Sequence, residues 1–409
     1  MSRSPDSADF SADGTTSSDP ARIPRDIVVL IGAALIVALG FGLIAPILPS
    51  YAQSFGVSNA AAAAIVSVFA ATRLLFAPAS GRITERWGEP IGYVSGVLIV
   101  AASTITCAYA NDYWTLIVFR AVGGIGSTLF TVSAGAFLAR RAPATLRGRV
   151  AGLYGGAFLI GNVAGPLVGG LLSPLGYRAP FLIYGVALVI AAAVVYVFLV
   201  GVRRSLRAKD EGAVLPPLSL REAWSSPAYR AAMIGNFGNG WVTFGVRTSL
   251  VPLFAAGALG MNAFEVGLVL TAFAVGNAAA LSFSGRWSDR VGRRLPIVIG
   301  MSLAAITGSV LGLSSDAWVL IALSLLSGLG TGMFGPAQQA TIADTVGPER
   351  SAGRAMAAFQ MAADLPAIAA PLIAGYLSDH FGYAPAFAIS GLIMVLGVIA
   401  WARVRPAAR

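Results

Sequence analysis

The chain has 409 residues, 56% of them hydrophobic and only 11% charged, with a mean hydropathy of +0.77. Soluble domains carry about 25% charge; a surface this apolar excludes a water-solvated fold and requires a lipid-solvated one. The formal net charge of +10 would suit nucleic acid in a soluble protein, but the placement of the charges below assigns it to membrane topology, and no nucleic-acid partner is expected.

Residues 1–26 are rich in Ser, Asp, Gly and Thr and read as a disordered cytoplasmic tail. Apolar runs of the length that crosses a bilayer then occupy 27–50, 58–80, 91–110, 114–138, 150–173 and 179–201. A polar stretch, 202–228, holds Pro216 and Pro217 and reads as a cytoplasmic linker. Six more runs follow at 229–256, 264–284, 296–314, 318–341, 355–378 and 385–402. The expected fold is all-α and integral to the membrane, with twelve transmembrane helices in two six-helix bundles, 27–201 and 229–403. Residues 404–409 form a second cytoplasmic tail.

Of the 28 lysines and arginines, 24 fall in the tails and in alternate connections, all on one side of the membrane. They include Arg82, Arg86, Arg140, Arg141, Arg203, Arg286, Arg290, Arg293, Arg294, Arg350 and Arg403. Only Arg178 lies in a connection on the other side. The positive-inside rule makes the rich side cytoplasmic, with both termini there, in a multi-pass protein of the plasma or inner membrane. Basic residues at that surface also attract anionic lipid. A single cysteine, Cys107, and a single histidine, His380, leave no intrachain disulfide and no Cys/His metal site. No cofactor is expected.

The two halves repeat. The segment Gly81-Arg82-Ile83-Thr84-Glu85-Arg86-Trp87-Gly88 returns 204 positions later as Gly285-Arg286-Trp287-Ser288-Asp289-Arg290-Val291-Gly292. Gly124 and Gly126 return as Gly328 and Gly330 at the same offset, and Pro166-Leu167 as Pro371-Leu372 at 205. Six spans per copy bring both copies in from the same face, as parallel repeats about an axis normal to the membrane.

These residues resemble the major facilitator superfamily, and within it the twelve-span drug:proton antiporters, over about residues 25–403. Gly81, Glu85, Arg86 and Gly88, with Gly285, Asp289, Arg290 and Gly292, match the family's gating-loop signature. Glu85 replaces its usual Asp, and Glu89-Pro90 its usual basic pair, which implies a weaker lock in the first half. Arg120, Gly124 and Gly126 match the helix-4 signature; Ser324 stands where Arg120 would align in the second half. Gly152, Gly161, Gly165, Pro166, Gly169 and Gly170 match the helix-5 antiporter signature at every spacing. The second copy keeps only Pro371 and Gly375, with Pro366 and Ala370 at glycine positions. Apart from any family, Gly161, Gly165 and Gly169 are four apart and form a bare ridge on one helix face that admits another helix closely. Pro166 removes a backbone hydrogen bond and invites a kink.

Arg73, Arg120 and Arg247 are the basic residues within spans. A charge in the bilayer needs a cavity or a partner. Arg73 is read as a candidate for snorkelling, Arg120 as a cavity or proton-coupling residue, and Arg247 as contacting either substrate or outer headgroups. Asp364 is the one acid clearly mid-span, and burial suits it to carry a proton; Asp26 and Glu265 are weaker candidates. Phe41, Asn162, Asn236, Asn239, Trp241, Arg247, Asn277, Phe334, Gln338 and Gln360 are candidates for the substrate pathway.

The resemblance implies a secondary transporter without enzymatic activity. It implies proton-coupled export of amphiphilic drugs or small metabolites by a monomer, with a small molecule, protons and the bilayer as partners. The alternatives are a symporter or uniporter importing a sugar or organic anion, a membrane enzyme, and a non-transporting receptor on the same fold. An enzyme is disfavoured by the scarcity of His, Cys and embedded acids.

Overall fold

The structure is a computed structural model and describes residues 23–142, 146–199, 220–346 and 353–404. The first half contains α1 (Arg25–Ile44), α2 (Asn59–Trp87), α3 (Glu89–Cys107), α4 (Tyr113–Arg141), α5 (Arg147–Leu172) and α6 (Arg178–Leu199). In the second half, α7 is built from Pro227–Asn239, Gly240–Val246 and Arg247–Gly257. It is followed by α8 (Ala263–Val291), α9 (Arg294–Val310), α10 (Ala317–Val346), α11 (Gly353–Phe381) and α12 (Tyr383–Ala402). All but α7 are uninterrupted and apolar enough to cross a membrane. The middle of α7, Gly240–Val246, is π-helical, a widening that is rare and recurs at functional sites.

Polar residues end and start these helices at repeat-equivalent places. Asp112 accepts the Thr115 amide at 2.9 Å, and Asp316 accepts the amides of Trp318 and Val319 at 2.9 and 3.0 Å. Both are N-terminal caps on the arginine-poor face. Gly88 and Gly292 both have φ of 90°, a backbone that other residues rarely adopt. Each turns the chain between two antiparallel helices within a residue or two.

The packing obeys the repeat as well. In the first half α1 packs on α5 and α6, α4 on α2 and α3, and α3 on α6. The second half repeats this with α7 on α11 and α12, α10 on α8 and α9, and α9 on α12. The approach of α4 to α2 depends on Gly124, which lies against Phe69 and Thr72, and that of α10 to α8 on Gly328, which lies against Phe273 and Asn277. Two separate apolar cores result, one in each half. The halves join where α2 meets α11 and where α5 meets α8.

Several expected boundaries are corrected. The run 27–50 is not one helix: α1 stops at Ile44, a three-residue turn bearing Pro46 follows, and a short helix, Leu48–Gln53, starts with Pro49 in its first turn. The tail does not reach residue 26. Pro24 caps α1, and Asp26, 6% exposed, pairs through Oδ2 with Arg141 Nε at 2.6 Å. The gating segments are not loops, because α2 and α8 continue past the apolar runs to Trp87 and Val291. The linker is shorter than 202–228, since Leu220–Ser225 is helical and α7 begins at Pro227. Residues 1–22, the linker positions 200–219 with Pro216 and Pro217, Arg350 and residues 405–409 lie outside the described residues.

Candidate functional site

The two halves meet on the arginine-poor face. Asp379 of α11 accepts the amide of Asn59 through Oδ1 at 3.0 Å and that of Ala60 through Oδ2 at 2.9 Å. It thereby caps α2 of the other half, where unpaired N–H groups and the helix dipole favour an anion. Gln53 Nε2 donates to Asn59 Oδ1 at 2.8 Å, and the Tyr383 hydroxyl lies 3.3 Å from both Asn59 Oδ1 and the Leu253 carbonyl. Two glycines allow this seal. A Cβ on Gly375 would lie 2.6 Å from Ala60 Cα, and one on Gly170 would lie 2.7 Å from Phe264 Cα. These are repeat-equivalent contacts, α11 on α2 and α5 on α8.

The helix-5 signature therefore divides by partner. Gly161, Gly165 and Gly169 seat α5 on Ala38, Leu39, Gly42 and Leu43 of α1, as the bare ridge predicts. Gly170, and the Pro166 carbonyl against Gly267, belong to the contact with α8. Gly152 has nothing within 4 Å. In the second half the glycines change sides: Gly240 and Gly245 of α7 lie against Ala363 and Ala370 of α11.

On the arginine-rich side of this seal lies a cavity of about 260 Å³. It is lined by the first half and by Phe244 and Thr248 of α7. The wall is mainly apolar and aromatic, with Ser127, Thr131, Asn162 and two guanidinium groups, Arg73 and Arg120. Arg120 is 7% exposed, and its guanidinium carbon stands 4.3 Å from the centre of the Phe69 ring. The second half has the same arrangement with a different donor. Arg247 of α7 lies 4.1 Å over Phe273, the repeat equivalent of Phe69, and Ser324 takes the place of Arg120. That group borders a void of only about 20 Å³ with Ser324 and Ser327 and is not among the residues lining the 260 Å³ cavity.

Arg73 sits at the midpoint of α2 and lines the same cavity. Asp364, on α11 of the opposite half, is near enough for its charge to attract that of Arg73 across the interface, with no direct ion pair between them, and Gln360 lies one turn away on the same helix. Arg120 has Cys107 and Tyr184 as its electrostatic neighbours instead. The sequence alone does not show which arginine lies near Asp364; the docking of α2 on α11 brings Arg73 towards it.

Of the candidate pathway residues, Phe41 and Asn162 line the large cavity. The others are not among its lining residues. Asn236 Nδ2 donates to the Phe359 carbonyl at 2.6 Å, Trp241 Nε1 to Ser390 Oγ at 3.2 Å, and Asn277 Nδ2 to Thr331 Oγ1 at 3.0 Å. Asn239 accepts from Thr243 at 3.0 Å. Phe334 is wholly buried, and Gln338 lies 3.6 Å from the Met301 sulfur. Asn236, Trp241, Asn277 and Gln338 thus tie helices together within the second half, where an embedded polar group needs a partner, whereas the Asn239 bond stays within α7. Glu265 forms a capping box with Asn262 at the start of α8.

In the gating segments Glu85 and Arg86 are exposed, and Gly81 and Gly285 have open space around them. The Asp289 side chain lies outside the described ones. The missing basic pair of the first half is replaced by a charge reversal. Glu89 pairs with Arg140 Nε at 3.1 Å, and its repeat equivalent Arg293 pairs with Asp344, the equivalent of Arg140, at 3.3 Å.

The family described as the Major Facilitator Superfamily matches residues 30–254 and 232–409. The multidrug resistance protein MdtG of Proteus mirabilis is 24% identical, covering 92% of this chain and 94% of that protein. The class C tetracycline resistance protein of Escherichia coli is 27% identical, covering 85% and 88%. The quinolone resistance protein NorA of Staphylococcus aureus is 21% identical, covering 91% and 96%. A bacterial homologue of the human lysosomal transporter Spinster, in an inward-facing and occupied conformation, superposes with a TM-score of 0.74 at 15% identity, over 93% of this chain and 97% of that one.

Proposed function

The chain belongs to the major facilitator superfamily, and from that premise we propose that it exports small amphiphilic molecules in exchange for protons. Secondary transport is the general activity; substrate and coupling are the proposal. The observation that carries it is the complete helix-5 signature, Gly152 to Gly170, with its ridge seated on α1 and its end on α8. This packing supports the reading, because it sets the signature between a packed half and a contact that must part. The relatives named for multidrug, tetracycline and quinolone resistance point the same way.

The arginine-rich face is the cytoplasm, with both termini there, and the sealed face is outside. The structure is then inward-facing, its cavity open to substrate leaving the cell. Rocking of the halves breaks the contacts of Asp379, Gly170 and Gly375 and closes the cytoplasmic ends, where the segments around Gly81, Glu85, Arg86, Gly88, Gly285, Asp289, Arg290 and Gly292 approach the opposite half. Asp364 is the coupling acid. Ionised, it attracts Arg73 across the α2–α11 interface; protonated, it releases it. One proton thus biases an interface that differs between the two states. All parts lie in one chain, so the monomer is the working unit.

The test is transport in proteoliposomes under an imposed pH gradient, with tetracycline and other aromatic amphiphiles as substrates. Uptake that follows the gradient, and vanishes when it is collapsed, is expected. Gradient-independent movement of a confirmed substrate sinks the antiport reading.

A further inference from the structure

The 260 Å³ cavity between the halves holds positive charge without a lining counter-charge. No Asp or Glu borders it, while Arg73 and Arg120 both do. Arg73 has a carboxylate within electrostatic reach across the interface, Asp364, though not in direct ion-pair contact. Arg120 does not. Its neighbours Cys107 and Tyr184 are neutral groups at ordinary pH. Its Nε has no hydrogen-bond partner among the described residues. A guanidinium does not shed its proton to relieve this, and a buried, unpaired charge is costly.

The surroundings define what would relieve it. One face of the guanidinium is covered by Phe69, which forms a tilted pair with Phe41 at 6.1 Å. That contact steadies the cation and leaves its N–H edge for an acceptor. Around it, Val37, Phe41, Phe130 and Phe158 offer an apolar bed. The second half acts as an internal comparison: Arg247 has the same ring beneath it but a void near 20 Å³, space for about one water. Of the two ring-backed arginines, Arg120 is the one that faces room for an organic molecule.

We propose that the cavity selects amphiphiles with one acidic group — carboxylate, sulfonate or phosphate — whose oxygens pair with Arg120 while an aromatic body lies on Phe41 and Phe69. This rests on the cavity being the substrate site. A forked guanidinium suits an oxyanion better than an ammonium does. Neutral and cationic analogues of the same body leave Arg120 unanswered and bind less well.

Calorimetry on the detergent-purified full chain tests this with two probes of one shape, naphthalene-2-sulfonate and neutral naphthalene-2-sulfonamide. The sulfonate is expected to bind at least about ten-fold tighter. Arg120→Gln should bring the two within about two-fold, and Arg247→Gln should leave the gap. Should Arg120→Gln not survive purification, Arg120→Lys decides, and is expected to narrow the gap at least three-fold (an order-of-magnitude figure, about 0.7 kcal/mol). Equal affinities, no binding of either probe, or a gap that follows Arg247 rather than Arg120 overturns the proposal. Because binding is read without a gradient, an intact sulfonate gap with no gradient-driven transport would sink the antiport reading alone. Equal binding with intact driven transport would sink this one alone.

Discussion

Asp379 caps the helix that begins at Asn59, although the two residues lie 320 positions apart in opposite halves of the chain. The carboxylate takes two amides, those of Asn59 and Ala60, and closes the face away from the arginines. Removing it leaves those amides to water and weakens the seal by about 1 kcal/mol, roughly five-fold in the open population. Leu253, wholly buried in this region, reports the change. With Cys107→Ser and Leu253→Cys in place, Asp379→Ala should speed labelling by an impermeant maleimide added from the sealed face. An unchanged rate would show that the cap does not hold the gate.

The glycines of the helix-5 signature should separate by substitution. Gly165→Ala drives a methyl to within 2.6 Å of the Leu39 carbonyl, whereas Gly152→Ala meets nothing. Overpacking of this kind costs about 1–3 kcal/mol. Thermal unfolding of the purified variants should show a lowered midpoint for the first and none for the second. Equal midpoints would contradict the packing described for α5 and α1.

Two ion pairs on the arginine-rich face should differ in worth. Glu89 and Arg140 pair at 3.1 Å with the Arg140 side chain 55% exposed, so Glu89→Gln costs at most about 1 kcal/mol. Asp26 is as buried as Glu89 but meets Arg141 at 2.6 Å, and the Arg141 side chain is only 33% exposed. Asp26→Asn strands a cation at a partly buried site and costs about 2 kcal/mol, less than a fully buried pair would. A midpoint depressed more by Glu89→Gln than by Asp26→Asn would reverse this ranking.

Asp112, outside the membrane, gives a pH dependence. Hydrogen bonds from the Thr115 side chain and amide hold its carboxyl below the ordinary value of 3.8. A depressed folded-state value means that its stabilisation is present above the unfolded value and is lost as pH falls through the folded one. Asp112→Ala should therefore lose less stability than the parent on acidification below about pH 4. Parallel acid limbs for the two proteins would remove Asp112 as a titrating cap.

Much of the architecture is legible in the residues, because it depends on local pattern. The apolar lengths mark the spans, the bare ridge of Gly161, Gly165 and Gly169 marks a helix contact, and Gly88 and Gly292 mark sharp reversals. The site was legible only in part. Asp379 belongs to no motif and finds Asn59 only through the docking of two halves. Arg73 reads as a snorkelling candidate because the apolar run ends at residue 80, and only the fold shows α2 running on to Trp87 and packing against α11, which carries Asp364. Asn236, Trp241 and Gln338 looked like pathway residues because an embedded polar group signals either function or packing, and here the partners are other helices. The charge reversal at Glu89 and Arg293 required knowing that α4 and α10 end beside them.

The most direct measurement concerns Asp364. The protein and its Asp364→Asn variant are reconstituted in proteoliposomes and given the same substrate under two regimes, a pH gradient and substrate exchange without one. Asp364→Asn should lose at least about ten-fold in gradient-driven transport while retaining exchange, since a neutral side chain can neither take nor release the coupling proton. Undiminished gradient-driven transport by the folded variant would contradict the account.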